Sequence, residues 1–223
     1  MVRIGVVLSG CGVSDGGEIH ESVLTLLALD KAGAEAVCMA PNVDQMHVVN
    51  HMTGKPVEGE RRNVLVESAR IARGNIKDIK DINFNEIDAL IIPGGFGAAK
   101  NLCNFAVAGS KCEVNPHVAS LVRKMVQSGK PVGALCISPA MIAGIFRNDP
   151  KMKPGVTIGT DAGTAAEIEA MGAKHINKKA ADIHVDTKLK IVTTPAYMLA
   201  TRISELETGI TKLVKKVLEL VKS

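Results

Sequence analysis

The chain has 223 residues, of which 46% are hydrophobic, 22% charged and only 2% aromatic. This balance is typical of a folded globular protein and excludes a disordered one, and the scarcity of aromatic rings argues against a base-stacking platform for nucleic acid. The formal net charge is +4, and the segment 209–223 carries four Lys against one Glu, so the rest of the chain is nearly neutral. We therefore expect neither nucleic acid nor a membrane as a partner.

Short apolar runs alternate with helical patterns along the chain, as in parallel βα units. In chain order, the patterns predict strands over Arg3–Leu8, Glu35–Ala40, Asp88–Ile92 and Pro131–Leu135, a hairpin of Asp182–Asp186 with Leu189–Thr193, and helices from Ile19 to Gly33 and from Ile203 to Leu220. Gly33, Gly129 and Gly172 stand where helix C-caps need a left-handed residue. Residues 41–62 lack periodicity and indicate an insertion. We predict a single α/β domain over residues 1–223, a three-layer sandwich with a mainly parallel sheet.

The cysteines and the amino terminus indicate where in the cell the protein is located. Five cysteines are scattered without a CxxC pair, which favours a reducing compartment over a secreted scaffold. The apolar run at the amino terminus is too short for a signal peptide, and no stretch reaches the length of a bilayer span. These observations predict a cytoplasmic protein.

Ligands in such sheets bind beyond the carboxyl ends of the strands, so the turn at Cys136 is of interest. Cys136 follows a predicted strand, has small residues two positions away on either side, and is followed by Pro139 at the predicted start of a helix. This pattern favours a nucleophile elbow, in which amide dipoles at a helix amino terminus favour thiolate. The alternative is a buried, inert cysteine.

The glycine-rich segment 93–97 opens another helix after a strand. The backbone N–H of Gly95 is predicted to form an oxyanion hole with that of Ile137. A phosphate-binding loop is a second interpretation, although the third Gly of a dinucleotide fingerprint and the Gly-Lys-Ser/Thr of a P-loop are both missing. Tight turns without any binding role are the third.

Acidic and histidine residues stand near the first of these turns. Glu18 opens the first helix, where a carboxylate is stabilising in any case, and His20 and Glu21 lie just beyond it with less expected access to the cleft. His47 and His51 are four residues apart, but a solvated loop is the preferred interpretation, and no metal site is predicted.

Four segments together resemble the ElbB family of enhancing-lycopene-biosynthesis or isoprenoid-biosynthesis proteins, in the class I glutamine amidotransferase-like, PfpI-type superfamily. They are SGCGVSDGGEIHE (9–21), IPGGFGAAKNL (92–102), CISPAM (136–141) and VTTPAYMLA (192–200). The resemblance covers essentially the whole chain and implies a flavodoxin-like sandwich, a homodimer, a nucleophile at Cys136, an acid at Glu18 and oxyanion donors at Gly95 and Ile137. Within these segments, further candidates for the cleft are Gly94, Asn101, His20 and Thr194.

The sequence departs from the related enzyme families at two places. Thr194-Pro195-Ala196 stands where glutamine amidotransferases have His-Pro-Glu, and Ile137 stands where PfpI-type proteins have His. Glutamine hydrolysis and peptidase activity therefore lack their general base and are not expected.

The resemblance also implies an enzyme of the glyoxalase type that turns glyoxal into glycolate without a cofactor. Cys136 would add to an aldehyde, and Glu18 would carry a proton between adjacent carbons before hydrolysis releases a 2-hydroxy acid. Methylglyoxal would give lactate. Two alternatives are a redox-sensing or protective module based on Cys136, and an accessory protein of isoprenoid metabolism.

Overall fold

The computed structural model describes residues 1–222 and has a seven-stranded sheet with helices on both faces. The strands are β1 (Arg3–Val7), β2 (Glu35–Ala40), β3 (Val49–Asn50), β4 (Lys55–Pro56), β5 (Lys77–Asp78), β6 (Ala89–Ile92), β7 (Val132–Leu135), β8 (Gly155–Val156), β9 (Lys174–His175), β10 (His184–Asp186) and β11 (Ile191–Thr194). The helices are α1 (Ile19–Lys31), α2 (Val64–Ile71), α3 (Phe96–Lys100), α4 (Phe105–Ala108), α5 (Pro116–Gln127), α6 (Ser138–Phe146), α7 (Ala162–Ala170) and α8 (Ile203–Val221).

The strand order across the sheet is β10-β11-β7-β6-β1-β2-β5. Every neighbouring pair is parallel except β10 and β11, which form an antiparallel hairpin. The prediction of an α/β fold with a mainly parallel sheet is confirmed. Because β1, β6 and β7 are neighbours at the centre, the turns that follow them meet at one edge of the sheet, where ligands bind in such folds.

Side chains alternate between the two faces of the central strands and fill a separate apolar core on each side. Val6 of β1 belongs to the core that includes Leu29 of α1 and Leu206 of α8. The next residue, Val7, belongs to the opposite core, which includes Val118 of α5 and Met141 of α6. Burial of the central strands on both faces explains their continuous apolar sequences.

The strands and the glycines at helix ends that the sequence predicts are present in the structure. Strand β2 has the predicted bounds, and Gly33, Gly129 and Gly172 adopt positive φ angles of 68°, 70° and 85° after their helices. The predicted hairpin pairs β10 with β11. The insertion at residues 41–62 contains the short hairpin of β3 and β4, which no periodicity indicated.

Helix α8 buries its apolar stripe within the chain. Leu206, Ile210, Leu213 and Val217 are fully buried and pack in the core shared with α1. The stripe therefore gives no argument for a homodimer, which remains a prediction. Within residues 1–222, no helix is both long enough and apolar enough to cross a bilayer.

Candidate active site

The turn after β7 holds Cys136 in a backbone conformation that non-glycine residues rarely adopt. Its φ is +58°, in the left-handed region, where a side chain is strained. The Cys136 N–H donates to the Thr194 carbonyl of β11 at 3.0 Å. Two residues later, the Ser138 hydroxyl donates to the Pro93 carbonyl at 2.8 Å and ties the start of α6 to the turn after β6. The sharp strand-to-helix turn is the geometry of a nucleophile elbow.

The turn after β6 needs glycine because three chain segments meet there. A Cβ on Gly94 would lie 2.5 Å from the Cβ of Cys136, and a Cβ on Gly95 would lie 2.4 Å from the backbone nitrogen of Glu18. Gly95 also has a φ of +93°. This close approach brings the N–H of Gly95, together with that of Ile137, into hydrogen-bonding contact with the Cys136 sulfur. Two amide donors therefore converge where a developing oxyanion could be held.

The carboxylate in contact with the Cys136 thiol belongs to Glu21, which is fully buried. Its Oε2 accepts the Gly94 N–H at 2.8 Å, and its Oε1 accepts the Tyr197 N–H at 3.2 Å. Burial raises the pKa of Glu21 to about 7, although the hydrogen bonds from the backbone N–H groups of Gly94 and Tyr197 and the contact with Cys136 lower it. An acid with a pKa near 7 can take or give a proton at neutral pH.

The thiol of Cys136 is shifted in the same direction. Burial and the adjacent Glu21 charge raise its pKa well above the ordinary value, and the N–H groups of Gly95 and Ile137 oppose this rise. We expected the helix amino terminus to favour thiolate, but desolvation outweighs it. The site therefore holds a neutral thiol beside a carboxyl group that can accept its proton.

Glu18 was expected to be the acid beside the nucleophile, and the structure corrects this. Glu18 is the N-cap of α1, and its Oε2 turns back to accept the Glu21 N–H at 2.7 Å. One helical turn onward, Glu21 projects to the turn after β6 and contacts the thiol instead. Glu18 lines the cavity next to Cys136 and is only 8% exposed.

The remaining cleft candidates have structural partners. Asn101 donates to the carbonyls of Ser9 and Asp15, at 2.9 and 2.8 Å, and so holds the turn after β1. The Thr194 hydroxyl donates to the Asp182 carbonyl at 2.8 Å.

His20 lies at the surface, where its Nδ1 is 2.8 Å from the Tyr197 hydroxyl oxygen. Tyr197 itself lines the cavity. This places His20 one contact away from the cavity wall rather than beside Cys136.

His51 of the insertion contacts the turn after β1. The Nε2 atom of His51 accepts the Ser14 N–H at 3.2 Å and lies 3.8 Å from an oxygen of buried Asp15. The structure thereby ties the insertion to the turn after β1. Within residues 1–222, no group of three His, Cys, Asp or Glu side chains is arranged to hold a metal ion.

A cavity of about 350 Å³ opens beside the thiol. Its lining includes the predicted set of Cys136, Glu18, Gly95 and Ile137, which the sequence places in three distant segments. The arrangement joins a thiol, an acid with a pKa near neutrality and two amide donors. Such a site can add a thiol to a carbonyl carbon and move protons.

Comparison with known proteins gives the family. The family model described as "DJ-1/PfpI family" matches residues 12–147, a segment that contains both Glu21 and Cys136. The chain belongs to the DJ-1/PfpI family. The chain is also similar to a deglycase from Pyrococcus horikoshii, 34% identical over 30% of this chain and 34% of the deglycase, and to glyoxalase III from Candida albicans. The latter structure is 15% identical with a TM-score of 0.60, covers 98% of this chain and 97% of its own, and shows the shared fold alone.

Other relatives match over nearly the whole chain. Human glutamine amidotransferase-like class 1 domain-containing protein 3, mitochondrial, is 49% identical over 98% of this chain and 83% of its own length. The mitochondrial ES1 protein homolog of rat is 47% identical over 98% and 84%. A crystal structure of an isoprenoid biosynthesis protein with an amidotransferase-like domain from Ehrlichia chaffeensis is 37% identical, with a TM-score of 0.92 and 99% of both chains covered.

These names contradict the predicted location. The human and rat relatives are named as mitochondrial proteins, as is the zebrafish ES1 protein, which is 32% identical over 89% of this chain. The prediction of a cytoplasmic protein is therefore wrong by this comparison. Cysteine spacing could not have separated the two locations, because it reports redox conditions and carries no address.

From the sequence we expect Glu21 to have less access to the cleft than Glu18, whereas in the structure Glu21 contacts the thiol. One pattern in the sequence does indicate this position. Glu21, Thr25 and Leu29 follow one another at four-residue spacing, and all three lie on the buried face of α1. An acid on the buried face of an amphipathic helix indicates a partner in the interior. Tyr197 had no comparable signal, because its contribution to Glu21 is made by its backbone N–H.

Proposed function

We propose that this chain is a cofactor-independent, glyoxalase-like enzyme that converts small dicarbonyls to 2-hydroxy acids, glyoxal to glycolate and methylglyoxal to lactate. The observation that carries the proposal is the contact between the Cys136 thiol and Glu21, beside the N–H groups of Gly95 and Ile137 and open to a cavity. The name of the similar deglycase supports an activity on carbonyl compounds.

In the first step, Glu21 takes the proton of the Cys136 thiol as the sulfur attacks an aldehyde carbon. The N–H groups of Gly95 and Ile137 hold the resulting oxyanion, which then accepts the proton to give a hemithioacetal. A neutral thiol beside a base suits this step, because the charge is formed only as the new bond forms.

In the second step, a carboxylate moves a proton from the former aldehyde carbon to its neighbour through an enediol. We propose Glu18 for this role, because its side chain lines the cavity, whereas Glu21 contacts the thiol and is not among the residues that line the cavity. The former aldehyde carbon is thereby oxidised to a thioester and its neighbour reduced to an alcohol. Water then cleaves the C–S bond, which releases the 2-hydroxy acid and restores the thiol.

Membership of the ElbB group within the family is part of the proposal. The Ehrlichia protein, named for isoprenoid biosynthesis, supports it by its 37% identity over 99% of both chains. Redox sensing is less well supported, because oxidation requires a thiolate and the buried thiol of Cys136 has a raised pKa.

Steady-state kinetics with glyoxal and methylglyoxal test the proposal. We expect wild type to consume both aldehydes and to form glycolate and lactate, identified by NMR, without added metal or thiol. Cys136→Ser is expected to abolish turnover, and Cys38→Ser is the matched control at another buried cysteine. Aldehyde consumption that is equal in wild type and Cys136→Ser would overturn the proposal.

A further inference from the structure

The cavity beside Cys136 is larger and more apolar than glyoxal requires. Its volume of about 350 Å³ equals about a dozen water molecules at their share of liquid volume, whereas glyoxal contains only two carbons and two oxygens. The apolar part of its wall is formed by Val13, Phe96, Ala99, Phe105, Ala106, Ile137 and Met198. A ligand with an apolar portion would bury that surface together with its own.

The polar side chains of the wall already have partners in the protein. The Glu18 carboxylate accepts a backbone N–H, the Tyr197 hydroxyl pairs with His20, and the Thr164 hydroxyl bonds the carboxylate of Asp161. Apart from these side chains, which include the Glu18 carboxylate proposed to move the substrate proton, the polar atoms that face the cavity are those around the Cys136 sulfur. This distribution fits a ligand with one polar, reacting end and an apolar remainder.

The electrostatics of the wall disfavour a charged ligand. None of the described residues that line the cavity is Lys, Arg or His. Lys100 lies nearby, but its ammonium group donates to the Ser14 carbonyl at 3.1 Å and lies 4.9 Å from the centroid of the Phe96 ring. A carboxylate in the cavity would meet Glu18 and Glu21 without a compensating cation.

The mouth of the cavity continues the apolar surface. Phe96 is 53% exposed and Val13 is 44% exposed, and both line the cavity. Ala106 of α4 is also exposed and lines it with only a methyl group. A small residue at this point leaves room for a ring or a branched chain on the substrate.

We propose that the site prefers uncharged 2-oxoaldehydes that carry an apolar substituent of about the size of a phenyl ring. This inference rests on the proposed function. With phenylglyoxal, the sulfur bonds the aldehyde carbon and the thiol proton passes to its oxygen. The aldehyde carbon then loses its proton and is oxidised to a thioester, while the ketone carbon gains a proton and is reduced to an alcohol. Water releases mandelate and the thiol, so no outside oxidant or reductant is needed.

The test compares kcat/KM for glyoxal, phenylglyoxal and 4-carboxyphenylglyoxal. We expect phenylglyoxal to exceed glyoxal by at least about 10-fold, since even one extra methylene in an apolar pocket changes kcat/KM by about 10-fold or more. The carboxylated analogue is expected to fall at least about 10-fold below phenylglyoxal. A carboxylated analogue equal to phenylglyoxal would overturn the uncharged class, and a phenylglyoxal value no higher than that of glyoxal would overturn the apolar one.

Two variants of α4 separate binding in this cavity from the intrinsic reactivity of the aldehydes. Ala106→Leu fills the cavity and is expected to lower the phenylglyoxal-to-glyoxal ratio by about 10-fold. Val107→Leu is the matched control, because Val107 is 71% exposed and does not line the cavity, and it is expected to keep the wild-type ratio. An unchanged ratio in Ala106→Leu would overturn the assignment of the substituent to this cavity.

The two proposals fail in distinguishable ways. Cys136-dependent glyoxal turnover without a preference for phenylglyoxal would overturn the substrate class and leave the glyoxalase proposal in place. If neither aldehyde is turned over, the glyoxalase proposal fails, and an NMR titration of Cys136→Ala with 2-hydroxyacetophenone decides the cavity's preference. Binding that is weakened by Ala106→Leu supports an apolar ligand, and absence of binding overturns it.

Discussion

Cys38 and Cys136 are both buried cysteines of the same sheet, and each is 8% exposed. Cys38 lies within β2, opposite Val6 of β1, and burial alone raises its pKa to about 11. Cys136 lies just past the end of β7, where its sulfur meets Glu21 and two backbone N–H groups. Exposure therefore does not distinguish the two thiols.

The difference between the two thiols arises from the course of the backbone around each cysteine. Inside a strand, the backbone N–H and C=O groups around Cys38 are used by the sheet, and its side chain faces an apolar core. At the end of β7 the chain turns into α6 through a positive φ angle, which brings Cys136 to the carboxyl ends of three neighbouring strands. We therefore propose that Cys136 owes its reactivity to its position in the topology and to the groups gathered there, since burial is common to both cysteines.

The largest expected difference is in turnover after removal of each thiol. Cys136→Ala is expected to lower kcat/KM for glyoxal by more than about 10³-fold, because the nucleophile is lost. Cys38→Ala is expected to retain turnover within a few-fold and to lower the free energy of unfolding by about 1–2 kcal/mol through the cavity it leaves. Equal effects of the two substitutions on kcat/KM would contradict the distinction.

The acid next to the thiol is the second difference. Glu21→Gln is expected to reduce kcat/KM by about 10²–10⁴-fold, as is usual for a lost general acid–base. Glu18→Gln is expected to reduce turnover as well but to leave the rate of Cys136 alkylation close to wild type, because Glu18 has no contact with the sulfur. Alkylation kinetics that respond equally to both substitutions would refute the separate roles.

The third prediction concerns the close approach that places the amide donors. Gly94→Ala would put a methyl group against both Cys136 and Glu21, so it is expected to lower turnover by about 10²-fold and the free energy of unfolding by about 1–3 kcal/mol. Gly163→Ala is the control, because its Cβ would have only an ordinary contact at 3.6 Å at the start of α7. Wild-type kinetics in Gly94→Ala would show that the packing around the thiol is not needed.

The fourth prediction concerns stability and pH. Glu21 binds its proton more tightly in the folded chain, with a pKa of about 7, than at the ordinary value of 4.5. The folded state therefore carries more protons between these pH values, and the free energy of unfolding falls as pH rises through them, by about 3 kcal/mol at most. Urea titrations at several pH values should show this slope in wild type and lose it in Glu21→Gln. A slope shared by both proteins would assign it to other groups.

Most of the fold can be predicted from the sequence, because the central strands are short apolar runs separated by turns that contain glycine. The bounds of β2 and the turn at Gly33 follow from residue types alone. Cys136 was recognisable because a strand-to-helix turn demands small neighbours and a proline. The partner of the thiol was harder to find, because Glu18 and Glu21 differ only by one turn of α1, and which of them meets the sulfur depends on how that helix packs against the turn after β6.

The pH dependence of Cys136 alkylation in wild type and Glu21→Gln, followed by mass spectrometry, tests the coupling of thiol and acid most directly. In wild type, we expect the alkylation rate to rise with pH through an apparent pKa near 7 that belongs to the pair. In Glu21→Gln, the rise should lie above the ordinary thiol range of about 8.5, because the base that takes the thiol proton is gone and burial, the larger cause of the raised pKa, remains although the raising effect of the Glu21 charge is lost. A thiol that titrates near 8.5 in both proteins would contradict the coupling and, with it, the proposed role of Glu21.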